Sequence, residues 1–131
     1  MDPKDEGKVY TYDSTVNPTW TFDNCLNVEY ENTDKSIHGA LFDISRYGKY
    51  NKTMYFDENV TQYEAIKTIE IWLSKPLTEK YYDKICDDTF HKHSWEKTKE
   101  YYKCRGDCLS DARFLEMAEI ENGILKLCCG S

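Results

Sequence analysis

The chain has 131 residues, of which 40% are apolar and 15% aromatic, so it is long and apolar enough for a single domain spanning 1–131 with its own core. This composition excludes a disordered acidic tail. The net charge of −7, with arginine only at Arg46, Arg105 and Arg113, disfavours direct binding to nucleic acid, because phosphate contacts need clustered basic side chains.

The first predicted elements are strands. A short strand is predicted over 9–12, and a half-buried strand over 20–31, where Trp20, Phe22, Leu26, Val28 and Tyr30 alternate with polar residues. After a turn over 32–36, a strand is predicted over 37–46, with His38, Ala40, Phe42 and Ile44 on one face, and another over 53–56. These segments suit an antiparallel meander.

The apolar period then changes to that of a helix, with Ile66, Ile69, Trp72 and Leu73 on one face. The segment 61–64 reads Thr-Gln-Tyr-Glu, which has the form of a capping box, so a helix is predicted over 61–74. Pro76 interrupts the pattern, and a second short helix is predicted to end near Ile85. A loop follows over 87–93, and Ser94–Tyr102 fits a helix or a strand equally well.

The last third of the chain predicts a β-hairpin. Two strands, 114–121 and 124–129, flank Asn122-Gly123, a dipeptide that tolerates the two positive φ values of a type I′ turn. The fold class predicted from all these elements is β-rich α+β. Either an antiparallel sheet or an immunoglobulin-like β-sandwich is expected, with one or two helices inserted around residues 61–86.

A group of thiols and imidazoles raises the question of zinc, which such ligands select. Its members fall within 23 residues: Cys86, His91, His93, Cys104 and Cys108. There is no Cys-x-x-Cys pair, so we interpret them as buried thiols and surface histidines, and we expect no metal and no cofactor. Cys104, between Lys103 and Arg105, is the thiol for which a lowered pKa is expected. No catalytic motif is visible, and we expect no enzymatic activity.

Several short motifs depend on the cellular compartment. The acidic start of the chain is unlike a signal peptide and no apolar run approaches a membrane span, so we expect an intracellular protein with no membrane contact. The six cysteines are then expected to be largely reduced. The sequons at Asn51 and Asn59 carry no function there, and Arg105-Gly106-Asp107 is interpreted as a turn.

Acidic residues and tyrosines together suggest a protein-binding surface. Residues 1–34 carry eight acidic side chains and two lysines, so almost all of the excess negative charge lies there. Tyr10, Tyr12 and Tyr30 lie beside several of these acids, where they favour Lys or Arg by ion pairing and cation–π contact. An acidic face without any partner is the alternative. The residues predicted to bind a basic partner are Asp13, Asp23, Glu29, Tyr30, Glu31 and Asp34.

Three segments resemble small uncharacterised proteins of large nucleocytoplasmic DNA viruses, iridoviruses included: 105–111 (RGDCLSD), 114–116 (FLE) and 125–131 (LKLCCGS). The resemblance implies a viral protein in the nucleus or cytoplasm of an infected host cell. In acidity and expected shape the chain is also similar to anti-silencing-factor histone chaperones, which bind histones H3–H4 without enzymatic activity. We therefore expect a non-enzymatic protein that binds a basic partner, histone H3–H4 first. The alternatives are a virion structural or assembly protein and a cysteine-based redox protein or enzyme.

Overall fold

A computed structural model describes residues 8–23, 33–46, 50–85 and 93–130. These residues form a mixed α+β domain with one five-stranded sheet and three α-helices, which confirms the predicted class. In chain order the elements are β1 (Val9–Tyr10), β2 (Ile37–Asp43), β3 (Asn51–Val60), α1 (Gln62–Leu73), α2 (Glu79–Ile85), α3 (Trp95–Tyr101), a 3-10 helix (Arg105–Leu109), β4 (Phe114–Glu121) and β5 (Ile124–Gly130).

The sheet has the strand order β1-β3-β2-β5-β4 and mixed strand directions. Two antiparallel hairpin-like pairs, β2–β3 and β4–β5, lie side by side and are joined by parallel pairing of β2 with β5. β1 also pairs with β3 in parallel. The predicted all-antiparallel sheet is therefore wrong, because alternation within a strand does not specify the direction of its neighbour. The described strands belong to one sheet, so an immunoglobulin-like sandwich is not confirmed.

The core lies between one face of this sheet and α1. The sheet contributes Ala40, Phe42, Met54, Leu125 and Leu127, and α1 contributes Ile66, Ile69, Trp72 and Leu73, all of them buried. The ring centroids of Phe42 and Trp72 lie 5.8 Å apart in an edge-to-face arrangement. His38 is exposed, contrary to the prediction that it shares the face of Ala40, because the register of β2 against β3 shifts between Ile37 and Gly39.

The start of α1 has the predicted capping box. Thr61 Oγ1 accepts a hydrogen bond from the backbone N–H of Glu64, and Glu64 Oε1 accepts one from the N–H of Thr61. The second predicted helix is α2. The ambiguous segment 94–102 is helical, because the hydroxyl of Ser94 accepts the N–H of Lys97 and so caps α3.

The C-terminal hairpin is confirmed. Asn122 and Gly123 adopt φ values of 53° and 77°, the two positive values that a type I′ turn requires. Glu121 pairs with Ile124 directly across this turn. A side chain at position 123 would be strained by this backbone conformation and would also contact the ring of His38.

The segment 19–23 departs from the strand predicted over 20–31. Trp20 and Phe22 are buried as predicted, but the segment packs along α1 instead of pairing with a strand. Ser74 Oγ accepts the N–H of Trp20 at 2.9 Å, and Glu70 Oε2 accepts the N–H of Phe22 at 2.9 Å. Only Asp23 forms a bridge to the sheet. The alternation at 20–23 therefore reflects burial against a helix, and residues 24–31 lie outside the described residues.

Candidate partner-binding surface

Half of the residues predicted to bind a partner lie in the described part of the chain. Asp13, Asp23 and Asp34 are all exposed there. The other three lie outside the described residues: Glu29, Tyr30 and Glu31.

Asp13 belongs to a group of acidic and aromatic side chains at the N-terminal end of α1. Partial burial raises the pKa of Tyr12, and the nearby Tyr63, Glu64 and Asp13 raise the same pKa further. These four residues are therefore close enough to interact electrostatically. We define them as the Tyr12 surface: Tyr12, Asp13, Tyr63 and Glu64.

The Tyr12 surface presents negative charge beside an accessible ring. The carboxylate of Asp13 accepts hydrogen bonds from the hydroxyl of Thr15 at 2.6 Å and from its N–H at 2.9 Å, and these bonds lower the pKa of Asp13. Asp13 is thus ionised at neutral pH. The side chain of Tyr63 is 42% exposed, and the Nζ of Lys67 lies 5.6 Å from its ring centroid. The ring is therefore already in contact with one cation.

Asp23 lies at the other end of α1. Its carboxylate is 3.9 Å from Nε of Arg113, whose Nη2 donates to the carbonyl of Thr21 at 2.6 Å. The Arg113 guanidinium also covers the ring of Trp20, 4.7 Å from its centroid. The charge of Asp23 is partly compensated in this way, and the structure does not bring it next to Asp13.

Asp34 is closer in the fold to the Tyr12 surface. It precedes β2, whose first residue Ile37 pairs with Val60, and Val60 is followed directly by the helix cap Thr61. The chain at Asp34 therefore approaches the N-terminal end of α1.

Three members of the Tyr12 surface were not among the predicted binding residues: Tyr12, which the sequence only places beside acidic residues, and Tyr63 and Glu64. The last two belong to the segment that predicts the capping box, which explains Glu64 by local structure alone. The signal that identifies Tyr63 is its helical position: it lies four residues before Lys67 and off the apolar face of Ile66 and Ile69.

The Arg-Gly-Asp tripeptide has a structural role. It begins the 3-10 helix, a tighter arrangement than the simple turn predicted. The Arg105 guanidinium lies 4.4 Å from the ring centroid of Trp72 and 5.4 Å from that of Tyr81. Asp107 Oδ2 accepts the N–H groups of Lys103 and Cys104 at 2.7 and 3.0 Å. Both charged side chains of the tripeptide are therefore engaged within the fold.

Three of the described cysteines, Cys104, Cys128 and Cys129, have raised pKa values. Burial, together with the nearby Asp107, raises the pKa of Cys104, so the lowered pKa expected from Lys103 and Arg105 is wrong. Burial and neighbouring carboxylates also raise the pKa of Cys128, and that of Cys129 to about 12. These thiols are protonated at neutral pH. Cys104, Cys128 and Cys129 do not form disulfide bonds.

Within the four described ranges, no three His, Cys, Asp or Glu side chains are arranged to bind a metal ion. Cys86 and His91 of the cluster considered for zinc lie outside those ranges. None of the described helices has the length and apolar character needed to cross a membrane. Comparison with known protein families, with curated proteins and with solved structures finds no match to this chain.

Proposed function

We propose that this chain is a non-enzymatic binding protein that engages a basic protein through the Tyr12 surface, with histone H3–H4 as the first candidate partner. The observation that carries the proposal is that Tyr12 lies close enough to Asp13 and to Tyr63 and Glu64, in the first turn of α1, to interact with them electrostatically. Carboxylates and aromatic faces are the groups that hold Lys and Arg side chains, by ion pairing and by cation–π contact.

Binding would proceed in two stages. The negative charge of Asp13 and Glu64, together with the acidic residues of 1–34, would attract a basic surface and raise the association rate. The exposed ring of Tyr63 would then cover a lysine stem or a guanidinium plane, and this contact is screened by salt much less than the exposed charges. The rings would therefore supply the part of the affinity that survives at high salt.

The choice of H3–H4 depends on the two resemblances and on the acidity of the first quarter of the chain. The resemblance to proteins of large DNA viruses favours a role in host chromatin, in the nucleus or cytoplasm of an infected cell. An immunoglobulin-like sandwich is not required for this role, because the Tyr12 surface is built from α1 and the segment that follows β1.

The test is a calorimetric titration of the protein with H3–H4 and with an unrelated protein of equal basicity, at ~0.15 M and ~0.5 M salt, between which the screening length falls about twofold. We expect selective binding to H3–H4 that persists at the higher salt. If both proteins bind equally and this binding disappears at the higher salt, the surface binds only by nonspecific electrostatic attraction. Absence of binding to H3–H4 would reject this partner.

A pair of tyrosine variants tests which surface binds. Tyr63→Ala should weaken binding about tenfold, because it removes an exposed ring that a cation can contact. Tyr101→Ala is the matched control, since Tyr101 is 78% exposed on α3 and outside the Tyr12 surface. Equal affinities for the two variants would place the binding surface elsewhere.

A second pair tests the acidic residues predicted from the sequence alone. Charge reversal at Glu29 and Glu31 should slow association with the basic partner without lowering the melting temperature. Reversal at Glu96 and Glu100 of α3 changes the net charge by the same amount and should leave the association rate closer to that of the wild type. Identical rates for the two double variants in stopped-flow experiments would exclude a specific role for 29–31.

A further inference from the structure

Lys67 lies between the Tyr12 surface and the buried carboxylate of Glu70. Its Nζ is 5.6 Å from the ring centroid of Tyr63 and 3.7 Å from Oε1 of Glu70. Residues three and four apart are neighbours on a helix, so Tyr63, Lys67 and Glu70 follow one another along the same side of α1. The ammonium of Lys67 therefore interacts with an exposed ring and with a buried carboxylate at the same time.

The position of this ammonium is fixed by Glu70. Glu70 is 5% exposed, and its other oxygen, Oε2, accepts the N–H of Phe22 at 2.9 Å, so the carboxylate is held inside the fold. The side chain of Lys67 is 32% exposed, unlike that of a lysine extended into solvent. An immobile anion thus keeps the cation of Lys67 beside the Tyr63 ring.

We propose that Lys67 is an autoinhibitory cation of the Tyr12 surface, because it occupies the Tyr63 ring with which this surface would hold a lysine or arginine of a basic partner. The inference rests on the function proposed above and adds a regulation of the same site. A partner cation on the same face of the ring has to displace the ammonium of Lys67, and on the opposite face it is repelled by that ammonium. Removing the charge of Lys67 therefore strengthens binding.

This role differs from that of an ordinary side-chain pair within a helix. A contact between residues four apart can also stabilise the helix alone. In that case, loss of the Lys67 charge would change binding only through the net charge of the protein, as loss of another exposed lysine would. The two roles are distinguishable, because an autoinhibitory lysine opposes binding only while the Tyr63 ring is present.

The experiment measures fluorescence anisotropy of a labelled octalysine peptide titrated with the full chain at ~0.15 M salt. Lys67→Met keeps an unbranched apolar stem and should bind the peptide about threefold more tightly than the wild type. Lys97→Met is the matched control, because Lys97 is exposed on α3 and its loss changes the net charge by the same amount. Equal gains in the two variants would overturn the proposal.

A double-mutant cycle with Tyr63 tests the mechanism. In the Tyr63→Ala background, Lys67→Met should gain no more affinity for octalysine than Lys97→Met, because no ring remains to be released. Lys67→Arg keeps a cation beside the ring and should not reproduce the gain. A gain in Lys67→Met that is the same with and without the Tyr63 ring would overturn the proposal.

Nuclear magnetic resonance measures the contact itself. The ε-methylene protons of Lys67 should be shifted upfield by the Tyr63 ring in the wild type, and Tyr63→Ala should remove this shift. Absence of the difference would overturn the proposal.

The outcomes also separate this inference from the function on which it rests. Absence of H3–H4 binding, with the octalysine gain retained in Lys67→Met, would reject that partner and leave the autoinhibition in place. Binding of H3–H4 with equal gains in Lys67→Met and Lys97→Met would reject only the autoinhibition. Absence of octalysine binding by both the wild type and Lys67→Met would reject the Tyr12 surface and this inference together.

Discussion

The two ends of α1 use acidic and aromatic side chains in different ways. At the C-terminal end, Glu70 is 5% exposed and accepts the N–H of Phe22, while Trp20 is buried beneath the guanidinium of Arg113. At the N-terminal end, Asp13 is exposed and the ring of Tyr63 is 42% exposed. The first set fastens the segment 19–23 to the helix, and the second faces solvent where a partner can contact it. Counting carboxylates along the sequence does not separate these two uses.

The largest loss of stability is expected at the C-terminal end. A Cβ at Gly106 would overlap the ring of Trp20, which is buried and cannot move aside. Gly106→Ala should therefore lower the free energy of unfolding in urea by about 2–4 kcal/mol. Gly130→Ala is the matched control, because its Cβ would meet the carboxylate of Glu116, an exposed and flexible side chain. Similar losses in the two variants would contradict the tight packing of Trp20.

The next largest effect is expected at Glu70. Glu70→Ala leaves the buried N–H of Phe22 without its acceptor, and such a group costs about 1–3 kcal/mol. Urea denaturation should show a loss in this range. A loss below about 0.5 kcal/mol would mean that the segment 19–23 is not fastened by this carboxylate.

The pH dependence of stability provides a second test of the buried carboxylate of Glu70. Burial raises the pKa of Glu70 above its ordinary value of 4.5, although the N–H of Phe22 and the ammonium of Lys67 act in the opposite direction. The stabilisation linked to this shift is fully present below pH 4.5 and is lost as the pH rises through the pKa of the folded state. The stability of the wild type relative to Glu70→Gln should therefore fall as the pH rises above 4.5. A constant difference across a pH series of denaturation curves would contradict the raised pKa.

The smallest effect on stability is expected at the N-terminal end. Tyr63 is exposed, so Tyr63→Ala should change the free energy of unfolding by less than about 0.5 kcal/mol. Thermal unfolding measures this change independently of binding. A loss comparable to that of Glu70→Ala would show that Tyr63 serves the fold, and the contrast between the two ends of α1 would disappear.

Elements specified by neighbouring residues were predictable from the sequence. Thr61 and Glu64 predict the helix start because their reciprocal hydrogen bonds are local, and Asn122-Gly123 predicts the hairpin because its φ values depend on residue type. The burial of Trp20 was also predictable from alternation, although the strand was not. The backbone of a buried alternating segment can form its hydrogen bonds with a neighbouring strand or with side chains such as Glu70. The alternation of apolar and polar residues is the same in both cases.

Features that depend on distant residues were not predictable. The parallel pairing of β2 with β5 and the inward position of Arg105 over Trp72 leave no local pattern. The same holds for the Tyr12 surface, because Tyr12 and Tyr63 are 51 positions apart in the sequence and come close enough to interact electrostatically only in the folded chain. For Cys104, neighbouring charges in the sequence were misleading, since burial and Asp107 determine its pKa.

The parallel pairing of β2 with β5 also adds an entropic cost to folding, because it joins distant parts of the chain. Alongside it, the imidazole Nε2 of His38 lies 3.0 Å from the carbonyl oxygen of Asn122, 84 positions further along the chain. Each hairpin can form from nearby residues, but joining them requires closure of a loop that spans most of the protein, which costs chain entropy before any contact is gained. Pairing of this kind is slow. A chain in which the two hairpins had formed but had not yet joined would leave the facing backbone edges of β2 and β5 unpaired, and unpaired strand edges favour aggregation.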